Sequence, residues 1–153
     1  VVRLIKGDRY RSRLISKIMF GAYNKRIKNV RTVNDWLTRD EAVVDEYNAG
    51  KLTTFLFTVN GYRGLMNMIL YVRKPRNIER IPKNLPMLMI SGLDDPVGEY
   101  GKGVYRAYNS YHGHIDDIDL RLYEDCRHEL CNELNKEEIY EEIYGWIMNH
   151  MSK

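Results

Sequence analysis

Apolar side chains recur at two different periods along this chain, and the change from one to the other divides it. Over residues 9–20, Tyr10, Leu14, Ile15, Ile18 and Met19 fall near the 3.6-residue repeat of an amphipathic helix. The run Thr38-Arg39-Asp40-Glu41 has the form of a capping box, in which a Thr hydroxyl and a Glu carboxylate satisfy the orphan N–H groups of a helix start. The helix it predicts carries Val43, Val44 and Tyr47 and stops near Gly50. Residues 52–59 are apolar and aromatic, and fit a buried strand or an extended loop equally well. Residues 61–73 return to helical spacing through Leu65, Met66, Ile69, Leu70 and Val72, and Pro75 predicts the end of that helix.

After Pro86 the pattern changes. Met87-Leu88-Met89-Ile90-Ser91-Gly92 is the continuous apolar run of a strand covered on both faces. Residues 100–111 predict a helix with Val104, Tyr105 and Tyr108 on one side, its start shaped by Gly98, Gly101 and Gly103. Ile118-Asp119-Leu120-Arg121-Leu122-Tyr123 alternates as a second strand does. Asn135 and Glu138 again resemble a capping box, and Ile139, Ile143, Trp146 and Ile147 form an apolar stripe to about His150. Strand, helix, strand, helix predicts an α/β fold containing a right-handed βαβ unit in a parallel sheet. Two strands leave long unpaired edges, so the expectation is that further strands from elsewhere complete the sheet.

Composition narrows the class. The chain has 153 residues, 44% apolar and 29% charged, as one ordinary globular domain has. No apolar run approaches the ~20 residues that a membrane-spanning helix needs. With Cys126 and Cys131 alone no disulfide framework is available, and a reducing, cytoplasmic setting is expected. Residues 1–85 hold 18 Lys and Arg against 7 Asp and Glu, whereas residues 86–153 hold 6 against 14. The sign changes near Pro86, where the hydrophobic pattern also changes.

In open α/β sheets the functional groups gather where strands end at their carboxyl side. The first predicted strand runs into Asp94-Asp95, the second into Cys126-Arg127-His128-Glu129. Adjacent strands lie ~4.8 Å apart, so a carboxylate after one and an imidazole after the next can meet. Such a carboxylate fixes the histidine tautomer and leaves the ring to act as a general base. Cys126 and Cys131 flank His128, but groups so near in sequence rarely reach nucleophile–base geometry. His128-Glu129-Leu130-Cys131-Asn132 fails as a zinc motif because Asn132 stands where the second histidine must be. His112, His114, Asp116, Asp117 and Asp119 lack a ligand spacing and read as a solvated loop.

The segment Leu85-Pro86-Met87-Leu88-Met89-Ile90-Ser91-Gly92-Leu93-Asp94-Asp95-Pro96-Val97-Gly98 resembles the strand-and-acid segment of α/β-hydrolases of the monoacylglycerol lipase and lysophospholipase family. Arg127-His128-Glu129, followed by Asn132-Glu133, resembles that family's histidine loop, and Asp35-Trp36-Leu37-Thr38-Arg39-Asp40 is similar to the helical cap of its bacterial members. The resemblance implies a cap over residues 1–80, then, over residues 81–153, the last two strand–helix units of the core. It implies Asp95 as the acid and His128 as the base of a serine hydrolase of monoacylglycerol or lysophospholipid-like esters, with no metal or organic cofactor. Phe57, Leu65 and Met66 of the cap, and Val97 beside the acid, are the expected substrate-binding residues.

One departure matters. The family's nucleophile lies in G-x-S-x-G, and none of Ser12, Ser16, Ser91, Ser110 and Ser152 sits in such a motif. The expectation is therefore that a segment before Val1 holds the serine and most of the sheet, and that this chain alone is inactive. A second copy completing the sheet is the other route. The rival class is a non-catalytic binding or assembly protein that uses the basic surface around Arg9, Arg11, Arg13, Lys17, Lys25, Arg26, Lys28 and Arg31. A solvated cap face explains those cations first, an anionic membrane surface second, and nucleic acid last.

Overall fold

The computed structural model describes residues 2–151. Its first half is helical: α1 (Val2–Lys6), α2 (Arg13–Phe20), α3 (Glu41–Ala49), α4 (Val59–Val72) and α5 (Pro75–Ile78), with a single 3-10 turn at Tyr23–Arg26. The second half alternates β1 (Met87–Gly92), α6 (Lys102–His112), β2 (Ile118–Tyr123) and α7 (Lys136–Met151), with a 3-10 turn at Leu130–Asn132 before the last helix. The strands pair in parallel, in a register running from Met87 opposite Ile118 to Gly92 opposite Tyr123. Among the described residues the sheet has these two strands. No described helix is long and apolar enough to cross a membrane.

Both strands lie where their apolar patterns put them; the helix starts shift because other side chains cap them. Ser12, not a residue near Arg9, begins α2: its Oγ accepts from the Ile15 N–H at 3.2 Å. Thr38 does not cap α3. Its hydroxyl donates to the Asn132 carbonyl at 2.7 Å, and Asp40 caps the helix by accepting from the N–H groups of Ala42 and Val43. Residues 52–59 form no strand, and Leu52 and Phe55 stay exposed. Only Thr58 pairs, in an isolated antiparallel bridge to Arg11, and its hydroxyl caps α4. Pro75 follows the end of α4 and opens α5 at its first turn, where a missing N–H costs nothing.

The core sits behind the carboxyl ends of the strands. Cys126, Leu130 and Ile139 are buried together, with Ile90, Tyr123 and Ile143 packed against them. Burial raises the Cys126 thiol pKa above its ordinary value, with the nearby Glu133 charge adding to the effect. Gly92, the last residue of β1, is where the loops that follow the two strands touch: the Leu93 N–H donates to the Tyr123 carbonyl and the Asp94 N–H to the Cys126 carbonyl. A Cβ on Gly92 would lie 2.1 Å from the Cys126 carbonyl oxygen and 2.3 Å from that of Arg127. Backbone atoms cannot move aside as a flexible side chain can. Gly92→Ala is therefore expected to displace the histidine loop, lowering the melting temperature and any His128-dependent turnover together; unchanged melting would show that the loops do not meet this closely.

Candidate active site

Asp95 stands in the turn after β1 and is almost fully buried. Its Oδ1 accepts from the Val97 N–H at 2.8 Å, which fixes the carboxylate, and its Oδ2 faces His128 Nδ1 at 3.1 Å. His128 lies in the loop after β2, with its ring partly open to solvent. The structure thus joins two residues 33 positions apart by the adjacency of two parallel strands. With Nδ1 occupied by the carboxylate, Nε2 is the nitrogen left for a second partner.

The loop that carries His128 is held by residues 35–38 of the helical first half. The His128 N–H donates to the Trp36 carbonyl at 3.4 Å and the Glu129 N–H to the Leu37 carbonyl at 2.7 Å. Arg127 Nη1 donates to the carbonyls of Asp35 and Thr38 at 2.7 and 2.9 Å. Beneath this contact Glu133 is fully buried. Its carboxylate accepts from Arg39 Nε at 2.8 Å, the Arg127 N–H at 2.7 Å and, at longer range, the N–H groups of Arg39 and Leu134. Burial alone would lower the Arg39 pKa, but the bond and attraction to Glu133 outweigh it and the net shift is upward. Asp35 anchors the other end by accepting from the Arg31 and Thr32 N–H groups and the Thr32 hydroxyl.

The His128 pKa is raised. The hydrogen bond to Asp95 is the largest cause, burial opposes it, and the charges of Asp95 and Glu129 add to the increase. The sign gives opposite pH slopes for stability and for base action. The pair contributes stability that is full below the ordinary histidine pKa and is lost as pH rises through the raised folded value. The neutral ring, the form that accepts a proton, grows over that same rise. Melting temperature should fall slightly, and His128-dependent turnover climb, as pH rises through this value. A rate profile whose acid limb lies at or below the ordinary histidine pKa would contradict the pairing.

A line of ring contacts runs from the histidine into the helical first half. His128 and Trp36 have centroids 5.1 Å apart, Trp36 and Tyr23 4.9 Å, and Tyr23 and Phe20 5.6 Å. The line continues from Phe20 to Tyr62 at 6.4 Å and from Tyr62 to Phe57 at 5.5 Å. The Tyr23 phenol pKa is raised, first by burial and then by the Asp95 charge. Of the four residues expected to bind substrate, Phe57 stands in this line, with Phe55 beyond it at 5.2 Å, and Val97 is exposed two residues after Asp95. Leu65 and Met66 are half-buried on α4, the helix that carries Tyr62. Trp36, Arg39 and Glu133 stand in the segments that carry the family resemblance, but the sequence assigns neither them nor Tyr23 a place in the site.

The residues considered as metal ligands part company: Asp119 lies in β2, not in a loop. Asn132, in the second position of the failed zinc motif, donates to Glu129 at 2.8 Å. His114 Nε2 meets the Ile81 carbonyl at 2.7 Å. Asp117 and Asp119 gather with His150 instead, their ligand atoms within 4.8 Å of one another. His150 Nε2 lies 3.2 Å from Asp117, and Trp146 Nε1 donates to Asp119 at 2.7 Å.

An acid and a histidine on loops after adjacent parallel strands, beside a helical segment, is an arrangement that α/β-hydrolase folds build. Comparison with known proteins agrees. The chain aligns with a thermostable carboxyl esterase from Bacillus coagulans, solved in complex with glycerol, at a TM-score of 0.81 and 23% identity, over 98% of this chain and 48% of that one. It aligns with a lipase in its open form at a TM-score of 0.76 and 22% identity, over 86% and 43%. The chain therefore spans about half the length of these solved structures. The family model for serine aminopeptidase, S33, matches residues 5–135, and the chain belongs to that α/β-hydrolase family. No curated protein sequence matches it.

Proposed function

We propose that the chain is the C-terminal part of a serine ester hydrolase acting on a monoacylglycerol or lysophospholipid-like substrate. The observation that carries this reading is the contact between His128 Nδ1 and the buried Asp95 Oδ2 at 3.1 Å. In this reading Asp95 holds the neutral ring with Nδ1 protonated, and His128 Nε2 takes the proton of a serine hydroxyl as its oxygen attacks the ester carbonyl. The imidazolium then returns the proton to the leaving alkoxide, and backbone N–H groups stabilise the oxyanion. No G-x-S-x-G occurs in these 153 residues, so this reading requires a serine nucleophile supplied from outside them.

The line of rings from Trp36 to Phe57 supplies an apolar wall for an acyl chain, with Leu65 and Met66 on the same helix as Tyr62. The exposed cations Arg9, Arg11, Arg13 and Lys17 suit approach to an anionic lipid surface, each worth about 1 kcal/mol there. That exposure also supports the second reading, a protein that binds or assembles through its basic face without catalysis. Release of long-chain fatty acid by the full-length protein, compared between monoacylglycerols, lysophospholipids and peptide amides, tests the first reading. Ester turnover abolished in His128→Ala is expected. Salt-sensitive vesicle binding with no hydrolysis would favour the second.

A further inference from the structure

We infer that Trp36 is a positioning residue for His128: its indole sets the plane of the imidazole, so that Nε2 keeps its aim while Asp95 holds Nδ1. The inference rests on the ester-hydrolase reading above and adds a residue to it. The Asp95 contact, 3.1 Å from Oδ2 to Nδ1, fixes one atom of the ring. It does not fix the plane, because the torsion that turns an imidazole about its Cβ–Cγ bond has broad minima. A reacting group held within about 10–20° of its productive orientation needs packing as well as a hydrogen bond. Trp36 supplies packing at this ring, with centroids 5.1 Å apart and planes inclined at 47°.

Trp36 is itself held, by backbone and by ring. The four successive carbonyls of residues 35–38 are each bound to the loop that carries His128. Those of Asp35 and Thr38 accept from Arg127 Nη1 at 2.7 and 2.9 Å, that of Trp36 from the His128 N–H at 3.4 Å, and that of Leu37 from the Glu129 N–H at 2.7 Å. The segment bearing the indole is thus tied to the residue it packs on and to both of that residue's chain neighbours. The Tyr23 ring braces the indole in turn, at 4.9 Å between centroids and 74° between planes. Trp36 is half-buried and lies outside the buried cluster of Cys126, Leu130 and Ile139. Its ring contacts are with Tyr23 and His128, so its bulk serves the histidine rather than that core. An imidazole free to tilt would carry Nε2 off the serine proton and stretch the Asp95 bond, so one loss shows in both rate and titration.

The test uses the full-length protein with Trp36→Leu, which removes the ring, and Trp36→Phe, which keeps one. Trp36→Leu is expected to lower kcat on an acetyl ester by about tenfold to a hundredfold, as a misplaced reacting group does. Trp36→Phe should restore most of that loss. The acid limb of the Trp36→Leu rate profile should also move to lower pH. The Asp95 bond is the main cause of the raised His128 value, and the charged groups that act on the ring, Asp95 and Glu129, are unchanged in these variants. Lost folding stability alone would lower the amount of active enzyme without moving that limb. A kcat on the acetyl ester within about twofold of wild type, with KM raised only on a long-chain ester, would overturn the inference and leave Trp36 as acyl wall alone. Equal losses in the two variants would overturn it too. NMR titration of the His128 imidazole in the three proteins separates this claim from the hydrolase reading. A value lowered in Trp36→Leu and kept in Trp36→Phe supports positioning even if no ester is cleaved, and an unmoved value overturns it even if esters are cleaved. Trp36→Met, which fills more of the space, takes the place of Trp36→Leu if that variant does not fold.

Discussion

Asp95→Asn is expected to lower turnover of the complete enzyme by about 10⁴-fold, the loss seen when the orienting carboxylate of such a triad becomes an amide. The asparagine can present its N–H₂ to Nδ1, which then has to be the unprotonated nitrogen, and Nε2 becomes a donor unable to take the serine proton. Because Asp95 is the main cause of the raised His128 pKa, the acid limb of the remaining activity should also move to lower pH. A purely structural role for Asp95 would lower the amount of folded enzyme without moving that limb. His128→Ala should cost turnover by a similar factor and leave the limb absent. Full activity in either variant would refute the assignment of both residues.

The second large effect is expected at Glu133. Its carboxylate is fully buried and accepts from the Arg39 guanidinium and from the Arg127 N–H within the histidine loop. Glu133→Ala removes the counter-charge and leaves those donors facing a cavity. Breaking a buried pair in this way costs about 3–5 kcal/mol, and because Arg39 retains some solvent contact the lower end applies. For a chain of this size that is a fall in melting temperature on the order of 10 °C. Replacing both partners with apolar residues, as Arg39→Met with Glu133→Leu, should recover part of the loss, since no unpaired charge remains. A fall below about 1 kcal/mol in the single variant would mean that water already reaches Glu133.

The two strands and their order were legible in the sequence because each carries its own signal, a continuous apolar run in β1 and an alternation in β2. The dyad was legible by its place after those strands and by the resemblance of both loops to one hydrolase family. What stayed hidden depends on contacts across long separations. Thr38 reads as a helix cap within its own neighbourhood, yet its hydroxyl is bound to Asn132, 94 positions away. Arg39 and Glu133 are separated by the same 94 positions, and neither flanking sequence marks the other as its partner. Trp36 against His128 is hidden for the same reason, since nothing local separates a ring that packs on an imidazole from one that fills a core. Residues 52–59 were ambiguous because apolar content fixes neither burial nor pairing; exposed Leu52 and Phe55 show that no strand partner claimed them.

The most direct measurement is the rate of labelling by a fluorophosphonate, read by intact mass, in the wild-type protein and in His128→Ala. The probe captures only a serine whose proton a base removes. The account predicts that the full-length wild-type protein gains one probe mass, on a serine outside these 153 residues, and that His128→Ala gains it slower by about 10³-fold or more. Equal labelling of the two proteins, or no labelling of the full-length wild type, would contradict the claim that Asp95 and His128 activate a serine nucleophile.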